Sequence, residues 1–275
     1  TTVPLLFVCI VEYYSSKSAI EQRVIEQLTS IADLKKSERN SWLEERLTDI
    51  SVIVRNKVLA AAATSLLQQR RRCESVYQLM NSETARINYN RVLENLHALK
   101  QFYKHYNVIS IIDGANGEVV ISTYPDIVGK TLSSFNSYID VLNKQDVAVK
   151  DVYTSELMGQ NWMTYYCPVL MTDTLTLESS DVIVGVILLD VNVNNSVDPL
   201  IHSWPGMGKT GETLLVRREG DNIVYLNDLR HKQGAALKFT SPIRSTLDIP
   251  SVLSSRGEEG IKESKDYRDV RVLSA

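Results

Sequence analysis

The chain has 275 residues, 44% of them hydrophobic, with a net charge of -3. That is ample apolar material for real cores and excludes a disordered chain or a small stapled fold. The acidic balance, with a pI near 5.9, also excludes the basic face that a nucleic-acid partner would require.

The segment Val3–Val11 (VPLLFVCIV) is apolar throughout, Tyr13 and Tyr14 follow, and Lys17 is the first charged residue after Glu12. Residues 1–14 therefore read as the end of a transmembrane helix with an interfacial aromatic pair, too short to cross a bilayer alone. From Leu5 to Asp113 there is neither glycine nor proline, so the strongest helix breakers are absent. Ile20, Val24, Leu28, Ile31 and Leu34, then Leu43, Leu47, Ile50, Val54, Val58 and Ala61, recur at helical spacing. The pattern predicts one stalk helix from about Ser15 to Arg72, broken near 73–82, with a second helix completing residues 15–106. A second copy is expected to pair along the stripe, making a homodimer. Arg70, Arg71 and Arg72 read as cations at a helix C-terminus. The second helix, capped by Asn81 or Ser82, is expected to bury Leu93, Leu96, Leu99, Phe102 and Tyr106.

At Asn107 the period changes from helical to alternating. Residues 107–113 (NVISIID), the turn Gly114–Gly117 and residues 118–123 (EVVIST) form a β-hairpin. Three more strands are read at 147–153, 161–170 and 182–191, with a short helix around 135–142, so residues 107–198 make a five-stranded antiparallel module. A second module, 199–275, opens with the hairpin of ETLLVR and DNIVYL, each hairpin being followed by a turn-prone loop (YPDIVGK, NDLRHKQG). Val270–Leu273 reads as a strand at the chain end, so the second sheet is expected to be incomplete. The fold class is α+β: a long N-terminal helix carrying two tandem PAS-like modules that pack against it.

Chemistry-bearing motifs are few. Gly206, Gly208 and Gly211 satisfy G-x-G-x-x-G, yet a proline-interrupted link precedes them and a strand follows, the reverse of a phosphate loop. Cys9, Cys73 and Cys167 show no metal spacing, and His97, His105, His202 and His231 no triad-like spacing. No cofactor, metal or catalytic set is predicted. The better candidates lie on the first sheet. Alternation puts Trp162, Thr164 and Tyr166 on one face and Met163, Tyr165 and Cys167 on the other. Asp190 ends an apolar strand where an acid is costly to bury unless it meets a donor or a cationic ligand. With Tyr153, these make a candidate small-molecule site of Trp162, Tyr166, Asp190, Tyr153 and Tyr165; core packing of the aromatics is the competing reading.

Taken together, IIDGANGEVVIST, YPDIVGK, GMGKTGETLLV, NDLRHKQGAALKF and DYRDVRVLSA resemble the double Cache extracytoplasmic sensor domains. The resemblance covers nearly the whole chain. It implies two PAS-like modules held outside the cytoplasmic membrane, the distal one binding a small ligand, in a sensor histidine kinase; chemoreceptors and diguanylate cyclases are alternative parents, and a ligand-free dimerisation ectodomain an alternative role. The closing phrase usually reads DYRGVPVL, so Asp269 and Arg271 are departures. In amino-acid-binding members an arginine precedes the tryptophan by two positions, a tyrosine follows it, and a later aspartate holds the ligand amine. Trp162 and Asp190 match that pattern, whereas Gln160 and Met163 do not.

Overall fold

The computed structural model describes residues 2–132, 136–144, 146–197, 199, 201, 210–243 and 249–275. Two compact units divide the chain: Thr1–Trp42 with Leu200–Ala275, and Leu43–Pro199. Helix α1 (Thr2–Val54) runs unbroken past the division at residue 42, and its 53 residues correspond to about 80 Å at 1.5 Å per residue.

The expected continuation to Arg72 does not occur. The chain bends by 63° between α1 and α2 (Lys57–Arg70), where Asn56 leaves helical conformation and its side chain accepts from Leu59 N at 3.0 Å. That cap starts a new helix without glycine or proline. The bend turns Ala61, Ala62, Ala63, Leu66 and Leu67 into the core.

In the Leu43–Pro199 unit the strands are β1 (Val108–Asp113), β2 (Val119–Ser122), β3 (Ala148–Thr154), β4 (Asn161–Thr172) and β5 (Ser179–Asn192). They form one antiparallel sheet in the order β2-β1-β5-β4-β3. One face is covered by α2, and α4 (Glu83–Phe102) packs against α2. Thus α2 takes the covering role expected of the stalk, while α1 contributes its last turns, where Ile50 and Ile53 are buried. A short helix, α3 (Val76–Asn81), lies between α2 and α4. Gly185 permits the close approach of α2: a Cβ there would stand 2.5 Å from Leu67 Cδ1 and 2.6 Å from the Ile112 carbonyl oxygen. The other face carries α5 (Asn136–Lys144) and the 3-10 turn Pro125–Ile127 over an apolar cluster that includes Val108, Ile112, Tyr138, Val141, Trp162, Tyr166 and Leu188.

Helix α4 buries Ala85, Asn88, Tyr89, Val92 and Leu96. The expected stripe is therefore rotated: Phe102 is 78% exposed, and Tyr106, beyond the helix end, is fully buried. The arginine cluster does more than meet a helix dipole. Arg71 grips Asp113 with Nε and Nη2 at 2.7–3.2 Å and donates from Nη2 to the Val184 carbonyl at 2.9 Å. Arg70 pairs with Glu118 at 2.7 Å. The C-terminal end of α2 is thereby pinned to the β1–β2 hairpin.

After α6 (Val193–Ser196), the other unit contains the sheet β6 (Val216–Glu219), β7 (Asn222–Tyr225), β8 (Thr240–Pro242), the helix α7 (Pro250–Ser255), and the hairpin β9 (Lys262–Lys265), β10 (Arg271–Ser274). Tyr225, Phe239 and Tyr267 pack with ring centroids 5.1–6.0 Å apart. Asp269 has a φ of +62°, the left-handed region that a glycine would occupy without strain. An Asp266 carboxylate oxygen that accepts from the backbone NH groups of Arg268 and Val270 holds the turn together.

Candidate functional site

Asp190 is the organising residue of the ligand-candidate face. In register it lies opposite Thr164 on β4 and Val108 on β1, and it is 3% exposed. Thr164 Oγ1 donates to Asp190 Oδ1 at 2.5 Å. Tyr153 OH lies 2.9 Å from the same Thr164 oxygen, and because the threonine proton is committed to Asp190, the tyrosine must be the donor there. Hydroxyl protons thus run Tyr153 to Thr164 to Asp190. Burial pushes the Asp190 carboxyl up to about 7, with the Thr164 hydrogen bond pulling the other way. Among the described residues no lysine or arginine forms an ion pair with it. Burial likewise pushes the Tyr153 and Tyr166 phenols up.

A cavity opens in front of this group, lined by Ser110, Ile127, Leu132, Tyr153, Ser155, Leu157, Met158, Leu188 and Asp190. The space free of protein atoms is about 290 Å³, open mouth included; its enclosed part has room for about one water. Each lining residue has a positional cause. Ser110 and Leu188 are cross-strand partners on one face. Ile127 comes from the 3-10 turn of YPDIVGK, which Gly129 closes at φ +82°. Leu157 and Met158 come from the β3–β4 turn, where Ser155 Oγ accepts from Met158 N at 3.2 Å.

Of the five candidates, the cavity brings together Asp190 and Tyr153. Trp162 and Tyr166 share that sheet face and its apolar cluster but do not line the cavity. Trp162 is 6% exposed, Tyr166 is fully buried, and Trp162 Nε1 and Tyr166 OH have no hydrogen-bond partner among the described residues. Tyr165 lies on the opposite face, its ring 6.4 Å from that of Tyr106, on the side covered by α2. It is a packing residue, because strand alternation denies it the face of Asp190. Burial raises its phenol to about 12.

Ser110, Ser155, Leu157 and Met158 were not legible as site residues. A serine inside the apolar run VISIID was the available signal for Ser110, whereas the turn residues carry none. Gly206, Gly208 and His202 lie outside the described residues. Among the described residues no single helix is long and apolar enough to cross a membrane.

The antiparallel sheet flanked by helices, with a largely apolar cavity around one buried carboxylate on the face away from α2, defines a sensor-type α+β module. The chain belongs to the Cache domain family, whose double-Cache model (dCache_1) matches residues 16–275. The fold is shared with the periplasmic sensory domain of the Campylobacter jejuni chemoreceptor Tlp1, at 11% identity and a TM-score of 0.51, covering 92% of this chain and 89% of that one. It is shared too with the ligand-binding domain of the Pseudomonas aeruginosa PAO1 amino acid chemoreceptor PctC in complex with GABA, at 15% identity and 0.50, covering 87% and 86%. The sensor domain of the Vibrio cholerae histidine kinase DctB is similar over 62% of this chain at 14% identity and a TM-score of 0.44; the chain spans 57% of that domain's length. No curated protein matches the chain.

Proposed function

We propose that this segment is the extracytoplasmic ligand-sensing domain of a transmembrane receptor, a sensor histidine kinase or a chemoreceptor, and that it binds a small molecule in the cavity at Asp190. One observation carries this reading: a carboxylate 3% exposed, without a cationic partner among the described residues, lines an otherwise largely apolar cavity. Buried acids are normally paired, and small-ligand sites combine apolar walls with a few polar anchors. The exposed Phe7, Val8, Ile10 and Val11, with Tyr13 and Tyr14 after them, support a membrane-embedded N-terminal end. The apolar positions Ile20, Val24 and Leu34 left exposed on α1 support pairing with a second copy. On this reading the segment performs no chemistry itself, and any kinase activity lies in a domain outside it.

The narrowness of the enclosed space favours a second reading, a structural ectodomain without a ligand. Thermal-shift screening of the chain against amines, amino acids and organic acids separates the two. The sensing role expects at least one stabilising compound, whose effect is lost in Leu157→Trp, which adds bulk to the cavity lining; the structural role expects none.

A further inference from the structure

We propose that the chain carries a proton-sensing site at His105, where the turn between α4 and β1 grips the end of α1, and that acidification loosens this grip. The site is separate from the cavity and needs no ligand there. Arg46 and Asp49, three residues apart, share one face of α1, beside the buried Ile50 and Ile53. His105 Nε2 stands 3.0 Å from Asp49 Oδ2, the oxygen that also accepts from Arg46 Nε at 3.4 Å. Tyr106, fully buried, donates from its hydroxyl to the Arg46 carbonyl at 3.5 Å, and its ring lies 4.3 Å from the imidazole. One residue further on, Asn107 N donates to the Asp190 carbonyl at 2.8 Å, and Asn107 Oδ1 accepts from Asn192 N at 2.7 Å. Three consecutive residues thus tie the end of α1 to strand β5.

The imidazole is held where a proton is unwelcome yet can arrive. Its side chain is 21% exposed, so solvent reaches it without unfolding. Burial and the Arg46 guanidinium hold its protonation below the ordinary histidine range, against the pull of Asp49 and Glu45. Arg46 is itself buried and donates from Nη2 to Glu45 Oε2 at 3.0 Å, which keeps the competing cation in place. The other titratable neighbours are Tyr103 and Tyr106 on the turn, Tyr165 and Cys167 on β4 behind Tyr106, and Asp151 on β3, whose charge acts on Tyr165. Burial pushes the three phenols and the thiol up, so these four stay neutral across the range in which a histidine titrates. An opened turn takes up a proton more readily than the closed one. The stability that the closed turn draws from neutral His105 is therefore present above about pH 6.5 and is lost as pH falls.

The test uses the whole chain without ligand and two readouts: the NMR titration of the His105 ring protons, and amide hydrogen exchange at Ile50, Ile53 and Tyr106 corrected for intrinsic rates. His105 is expected to titrate below the ordinary value of about 6.5. From pH 7.5 to pH 5.5 the protection of these amides should fall relative to His105→Gln, which stays neutral throughout, by up to about tenfold, the limit for an open turn whose imidazole titrates normally. Proton uptake by Asp190 over the same interval favours the folded chain, so it acts in the opposite sense and is common to both proteins. A His105 that titrates at or above its ordinary value, or protection that runs parallel in wild type and His105→Gln, would each overturn the proton site and leave the sensing role put forward above untouched. The wild-type titration decides the matter even where His105→Gln fails to fold.

Discussion

Asp190 is ionised at a cost, and the cost has a sign. Burial lifts its carboxyl from 3.8 to about 7, so the folded chain holds a proton that the unfolded chain releases across that interval. Its contribution to stability is therefore fully present below about pH 4 and is lost as pH rises to about 7. At about 1.4 kcal/mol per pH unit the full interval is worth about 4 kcal/mol. Ligand-free Asp190→Asn is expected to match the wild type in urea denaturation near pH 4 and to exceed it at pH 8 by up to that amount. Arg71 makes the opposite case. Its partner Asp113 has a side chain only 3% exposed, so Arg71→Ala leaves a buried carboxylate unpaired and should cost about 3 kcal/mol, somewhat less because the Arg71 side chain is 41% exposed. Arg71→Lys should not restore it, since an ammonium cannot span both carboxylate oxygens and the Val184 carbonyl; urea midpoints measure both. Asp269, at φ +62°, should be more stable as Asp269→Gly by about 1 kcal/mol.

Among the elements, the seam between α2 and the sheet tolerates least. Gly185→Ala would drive a methyl group to 2.6 Å from the Ile112 carbonyl oxygen, a backbone atom that cannot swing aside as the Leu67 methyl can. The expected loss is about 1–3 kcal/mol, read by thermal unfolding. At the bend, removing the cap with Asn56→Ala should cost about 1 kcal/mol. Helical periodicity alone passed over this break, because neither Arg55 nor Asn56 forbids a helix. What favours the bend is the burial of Ala61 through Leu67, and no local pattern in the sequence shows a sheet waiting there.

Across the whole molecule, α1 carries one unbroken helical backbone from one compact unit into the other. Glu44 and Glu45 stand just past that division. A Gly-Gly insertion between them should weaken the helix locally by about 1 kcal/mol per residue and, on the sensing role proposed above, leave ligand affinity unchanged while abolishing ligand-dependent output. Titration of binding beside an output assay checks it; intact output would mean that the signal leaves by another element. Such coupling requires a ligand with different affinities for two states of the helix.

The sequence by itself determined the α+β class, the antiparallel strands, the paired faces of β4 and the cost of placing Asp190 in an apolar strand. These follow from local physics: side chains alternate with period two along a strand, helices repeat every 3.6 residues, and an acid in an apolar run is a cost visible without coordinates. Only the tertiary structure decided which sheet face meets the cavity. It set Tyr165 against Tyr106 on the other face, kept Trp162 and Tyr166 behind the cavity lining, and drew Ser110, Leu157 and Met158 into it. It also joined Arg71 to Asp113 across 42 residues. Those outcomes depend on what packs against each face, and packing partners distant in sequence leave no periodicity from which they can be read.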